Sequence, residues 1–103
     1  MILSKIKRLI LKGDYRFTDK ADAEMEATGI TKDDVVEAIL NAYRIDKVMR
    51  TISPGKTHRG EKVYVIRGFT YDEIYIYTKG TIKIVDREKN FYRLISAKRE
   101  GIF

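Results

Sequence analysis

Cations set among tyrosines are the residues of this chain best suited to chemistry. Between Ile74 and Lys79, Tyr75, Tyr77 and Lys79 alternate with Ile74, Ile76 and Thr78. In the preceding run, Val63, Val65, Arg67 and Phe69 alternate with Tyr64, Ile66, Gly68 and Thr70. A face of Tyr, Arg and Lys with no acid among them suits a polyanion. Tyrosine adds an apolar body with a free hydroxyl at its tip. Arg67 stands in an otherwise apolar register, so it is expected to be ion-paired or to line a site. Further cations are available in Lys47 and Arg50, in His58 and Arg59, and in Arg93.

These residues need a sheet to hold them. β-branched and aromatic residues at period two, bounded by turn formers, predict two consecutive antiparallel strands from Glu61 to Thr81, with turns at Tyr71-Asp72 and Lys79-Gly80. Strand character is also expected from Arg44 to Ile52, from Thr81 to Val85 and from Phe91 to Ala97. Ser53 to Gly60 reads as a basic loop. Its Gly55-Lys56-Thr57 copies the letters of a phosphate loop without the strand and helix that such a loop requires.

Helices come first in the chain. Ser4 is placed to cap a helix running to about Lys12, with Ile6, Leu9 and Ile10 as its stripe and Gly13 at its C′ position. Tyr15 to Thr18 is a short extended piece. Thr18 or Asp19 caps a second helix, which Gly29 ends. Thr31 caps a third, with Asp33 and Asp34 in its first turn and Val35, Val36, Ile39, Leu40 and Tyr43 as its apolar face. Helices followed by consecutive strands predict one α+β domain over residues 1–103, its N-terminal helices packed on a curved antiparallel sheet.

Bulk properties narrow the function classes. With 103 residues and 44% hydrophobic content, one folded domain is expected. No apolar run approaches membrane-spanning length. The cations inside the first apolar segment argue against a secretory signal, so a cytoplasmic protein is expected. The chain has no cysteine and one histidine, which removes disulfides, thiolate sites and multi-histidine metal centres. No cofactor or metal is expected. The net charge of +6 is polarised: Asp14 to Asp46 holds nine acids against four bases, whereas Ser53 onward holds eleven bases against six acids. That polarity favours an oriented basic face and a nucleic-acid partner.

Several segments, in order, resemble one family. They are Leu3-Ser-x-Ile-Lys-x-Leu-Ile-x-x-Gly-x-Tyr-Arg-Phe-Thr18, a Gly-punctuated helical hairpin, Ile45-Asp-Lys-Val-Met49, Glu61-Lys-Val-Tyr-Val65 and Ile74-Tyr-Ile-Tyr-Thr-Lys79. Together they look like the MqsR family of mRNA-cleaving toxins, which have a RelE-like fold. Phe91-Tyr-Arg-Leu-Ile-Ser-Ala-Lys98 resembles the last strand of BrnT-type toxins of the same superfamily. The resemblance implies a metal-independent endoribonuclease acting on single-stranded mRNA, paired with a cognate antitoxin protein. It implies catalytic roles for Lys47, Tyr64 and Lys79. The family's glutamine and tryptophan have no counterpart here.

For such chemistry a 2′-hydroxyl attacks its own phosphate. A base takes the proton, an acid protonates the leaving 5′-oxygen, and fixed cations hold the charge on phosphorus. Lysine transfers protons only where burial or neighbouring cations lower its pKa, as clustering of Lys47 and Lys79 with Arg67 or Arg93 would do. Tyr64 would orient the hydroxyl or stack on a base. His58 is the conventional acid or base. Arg50, His58, Arg59, Arg67 and Arg93 are the expected substrate-binding residues. The alternative is a protein of the same fold that binds RNA or a partner without cleaving.

Overall fold

The computed structural model describes residues 1–50, 61–86 and 89–101. Helix α1 (Ile2–Lys12) buries Leu3, Ile6, Leu9 and Ile10, and leaves Arg8 and Lys12 exposed. It starts before Ser4, the expected cap, because Leu3 already belongs to the buried stripe. Gly13 ends it at φ 80°, its N–H donating to Ile10. A left-handed residue there costs glycine little.

Strand β1 (Tyr15–Phe17) leads into α2 (Asp19–Thr28). Its cap is Thr18, whose hydroxyl accepts from the Ala21 N–H. Helix α3 (Lys32–Asn41) opens on a reciprocal cap: the Thr31 hydroxyl accepts from the Asp34 N–H, and the Asp34 carboxylate accepts from the Thr31 N–H. Satisfying two otherwise orphaned donors fixes this start. Val35, Ala38 and Ile39 are its buried residues, while Tyr43 lies beyond the helix and is 87% exposed rather than inward.

The sheet comprises β1, β2 (Lys47–Arg50), β3 (Lys62–Phe69), β4 (Tyr75–Ile84) and β5 (Asn90–Arg99), in the order β1-β5-β4-β3-β2. The fold is thus α+β, with the N-terminal helices packed on one face of the sheet. The sheet is mixed rather than wholly antiparallel, since β1 runs parallel to β5. Both hydrogen-bonding and helix packing put it there: Tyr92 donates to Asp14, and α2 continues along the same β5 edge. Thr18 donates to Leu94 and Ile95, Glu24 accepts from the Ala97 N–H, and Thr28 accepts from the Arg99 N–H. An edge that would otherwise invite another strand is satisfied by helix side chains.

The expected turn at Lys79-Gly80 does not occur. β4 continues through it for ten residues. A Cβ at position 80 would lie 2.5 Å from the Tyr92 ring, so glycine marks a close side-chain approach rather than a bend.

The core lies between the helices and one sheet face. Ile6, Val35, Ile39, Ile66, Ile76, Tyr92 and Leu94 are fully enclosed. Such side chains each contribute about 1.5–3 kcal/mol on burial. Tyr92 differs, because its buried hydroxyl has no hydrogen-bond partner among the described residues. Burial, and then the neighbouring Tyr64, push its pKa above the ordinary 10. The hydroxyl therefore stays neutral in the folded state while the unfolded chain's tyrosine ionises. Stability from this source is complete below pH 10 and is lost as pH rises above it. Tyr92→Phe is expected to raise stability by about 1–3 kcal/mol, the cost of an unsatisfied buried polar group. It should also flatten the alkaline limb of urea midpoints measured against pH.

Candidate functional site

The sheet face turned away from the helices carries most of the sequence's candidate residues. Strand pairing fixes which side chains share it, because partners directly opposite project to the same side. Gly68 points at α3, where Ala38 blocks the space a Cβ would need, so Tyr64, Ile66 and Gly68 face the helices. Val63, Val65, Arg67 and Phe69 face away. One row across this face, open only in that the helix-packed core lies on the other side, reads Lys47, Val65, Lys79, Ser96, with Val65 and Ser96 themselves buried. The next reads Arg67, Tyr77, Lys98, and beyond it stands the pair Phe69, Tyr75. On the other side come Thr81, Arg93 and Arg16, then Lys83 and Phe91.

Lys47 and Lys79 therefore stand on the same side of the sheet with only Val65 between them. Two strand spacings put their Cα atoms about 10 Å apart. Their flexible four-carbon stems let both ammonium groups meet at one anion. Neither has an ion pair among the described residues. Val63 and Val65 are each 2% exposed, so the floor under these cations is apolar and buried.

Arg67 is committed differently. Its Nε donates to Glu100 at 2.7 Å and its Nη1 to Asp46 at 3.1 Å, while the guanidinium carbon lies 5.1 Å from the Tyr77 ring centroid. Hydrogen bonds to Glu100 and then Asp46 hold its pKa above the ordinary arginine value. It is a fixed, flat cation, as its apolar register foretold, with little capacity left for a phosphate. Lys98 approaches the same ring at 5.4 Å.

Two candidates fall elsewhere. Tyr64 is only 7% exposed, belongs to the core and faces the helices. Arg50 pairs with Lys62 in the register of Val48 and Tyr64, which also sends it to the helix side. The period-two alternation puts both opposite Lys47 and Lys79. His58 and Arg59 lie outside the described residues.

The face also holds residues that sequence reasoning missed. Lys98 lies just beyond the strand expected to end at Ala97, but β5 extends to Arg99. Lys83 continues the alternation Lys79, Thr81, Lys83, which the supposed turn concealed. Nor is the face free of acid. Asp46 and Glu100 clamp Arg67, Glu61 accepts from Lys83 at 2.7 Å, and Glu24 accepts from Ser96 at 2.6 Å. Among the described residues, seven cations (Arg16, Lys47, Arg67, Lys79, Lys83, Arg93, Lys98) still outnumber these four carboxylates. The hydrogen bond from Lys83 lowers the pKa of Glu61.

No protein-family model, curated protein or solved structure matches this chain. Its chemistry therefore has to be argued from its own side chains. Among the described residues, no three His, Cys, Asp or Glu side chains are grouped to hold a metal ion. No described helix is long and apolar enough to cross a membrane. What the face offers is two ammonium groups in register, a third cation in Arg93, and aromatic rings alongside. That combination can neutralise a phosphodiester and stack against bases.

Proposed function

We propose that the open sheet face binds single-stranded RNA and that the protein is a metal-independent endoribonuclease, the toxin of a toxin–antitoxin pair. The observation that carries this reading is the row Lys47, Val65, Lys79, which sets two lysines with no ion pair among the described residues astride an apolar residue. In the reaction, the RNA 2′-hydroxyl gives up its proton as its oxygen bonds to phosphorus, and the bond from phosphorus to the 5′-oxygen breaks as that oxygen takes up a proton. The products carry a 2′,3′-cyclic phosphate and a 5′-hydroxyl. The two ammonium groups donate to the phosphoryl oxygens, where negative charge grows as the transition state forms. Arg93 extends the cationic track along the RNA backbone. An antitoxin covering the same face would bring carboxylates to these cations.

A second reading, binding of RNA or a protein without cleavage, draws on the placement of Tyr64. The hydroxyl that the family resemblance makes catalytic belongs to the helix-facing side. One experiment separates the two. Purified protein is incubated with single-stranded RNA in excess EDTA, and the products are examined for cyclic phosphate ends. Cleavage is the expected result. Salt-sensitive binding with intact RNA would establish the second reading, and absence of both would overturn the RNA assignment.

A further inference from the structure

At the end of the open face beyond the lysine row, the sheet carries aromatic surface that the core does not use. Phe69 is 54% exposed, and its ring packs against Tyr75 with centroids 4.5 Å apart and planes inclined by 33°. β2 starts at Lys47 opposite Val65, so it stops short of this end of β3. The space beside Arg67, Gly68 and Phe69 is instead a cleft, walled by Tyr43 and Arg44 from the segment entering β2. Asn41 donates to the Phe69 carbonyl at 2.9 Å and holds that wall against the strand. The cleft measures about 160 Å³. Small-molecule sites run to roughly 300–1,000 Å³, so this one has room for a single flat ring rather than a whole ligand.

We infer that the Phe69–Tyr75 cleft is a nucleobase-stacking subsite, taking one unpaired base of the strand whose phosphate lies at Lys47 and Lys79. The inference rests on the RNA reading above and adds to it where a base is held. Two features select a base over other apolar occupants. The cleft opens beside the basic rows, so whatever enters it crosses a field that favours a polyanion. Between cleft and lysines lies the flat Arg67 guanidinium, pinned by Glu100 and Asp46 and seated over Tyr77. Arginine planes and aromatic rings are the surfaces on which successive bases stack.

Spacing adds a constraint. The Phe69–Tyr75 pair is four residues along β3 from Val65, or about 13 Å. The base in the cleft and the phosphate at the lysines thus belong to different nucleotides. A base paired in a duplex cannot enter the cleft, so the subsite also demands single-stranded substrate.

The test uses fluorescence anisotropy with a short oligouridylate made uncleavable by 2′-O-methylation, and the same oligomer with abasic sites. Stacking is worth about 1–3 kcal/mol per base. The unaltered protein should therefore bind the abasic oligomer about 5-fold to 150-fold more weakly. Phe69→Ala should lose that discrimination, binding both oligomers at the weaker level, and Phe69→Trp should restore it. Circular dichroism confirms that the variants fold, which the exposure of Phe69 favours. If Phe69→Ala still prefers the base-bearing oligomer by the native factor, while Lys47→Ala and Lys79→Ala weaken binding of both, the subsite is wrong and the RNA reading stands. If the unaltered protein binds neither oligomer, both are overturned.

Discussion

Gly68→Ala is expected to be the most destabilising single methyl group that can be added to this protein. A Cβ at that position would stand 2.0 Å from the Ala38 carbonyl oxygen and 2.9 Å from its carbon, both backbone atoms of α3. Ordinary contact begins near 3.4 Å, so helix and strand must part by more than an ångström. No rotamer change relieves this, because neither atom belongs to a side chain. α3 also carries Val35 and Ile39, both fully buried, so moving it loosens the core along its whole contact with β3. Overpacking commonly costs about 1–3 kcal/mol, and a clash of backbone against backbone falls at or beyond the upper end. Against a total stability of about 5–15 kcal/mol, the urea midpoint should fall sharply. Gly13→Ala is the control. It meets nothing within 4 Å but must hold φ at 80°, which costs an L-residue about 1–2 kcal/mol. Ala38→Gly should not rescue Gly68→Ala, since the obstacle is the carbonyl. A Gly68→Ala midpoint equal to that of Gly13→Ala would mean that α3 does not lie against β3 as described.

The difference between these two glycines shows what can be read from the chain and what cannot. Gly13, Gly29, Thr18 and Thr31 act on neighbours within a few residues, and their capping roles follow from local sequence. Gly80 looks equally local, next to a lysine and between two strand-like runs. Its reason is the ring of Tyr92, twelve residues away and on another strand. The alternation of β3 was legible too, and it already put Tyr64 opposite Arg67. Which set faces the helices is decided by α3, which reaches the Gly68 side from thirty residues earlier. The parallel pairing of Tyr15 with Tyr92 is still more distant and leaves no periodic trace.

The candidate site divides along the same line. Lys47 and Lys79 come to one face only through two successive pairings with Val65, a register that no short motif encodes. Asp46 and Glu100 reach Arg67 from segments on either side of it in sequence, which is why a face expected to be free of acid contains a clamped arginine. The aromatic cleft is absent from any sequence reading because it exists only where β2 fails to reach.

Removing the lysines should produce the largest functional effect. Lys79→Ala and Lys47→Ala are each expected to slow RNA cleavage in EDTA by about 10²–10³-fold, the loss typical of one donor to a charge-developing oxygen. The geometry makes a stronger demand than two separate losses. If both ammonium groups grip one phosphate across Val65, each supports the position of the other, and the double variant should lose less than the product of the singles. Equilibrium binding to the uncleavable oligomer gives a second readout. Removing both lysines, and with them the one phosphate contact, should reduce the slope of log affinity against log salt by about 0.7. Arg50→Ala and Tyr64→Phe serve as face controls, since both side chains project to the helix side. They should leave rate and salt slope at native values. Strictly multiplicative losses would mean that the two lysines serve different phosphates. A rate that falls with Tyr64→Phe as far as with Lys79→Ala would put the reacting hydroxyl on the opposite side of the sheet and remove the open face from the chemistry.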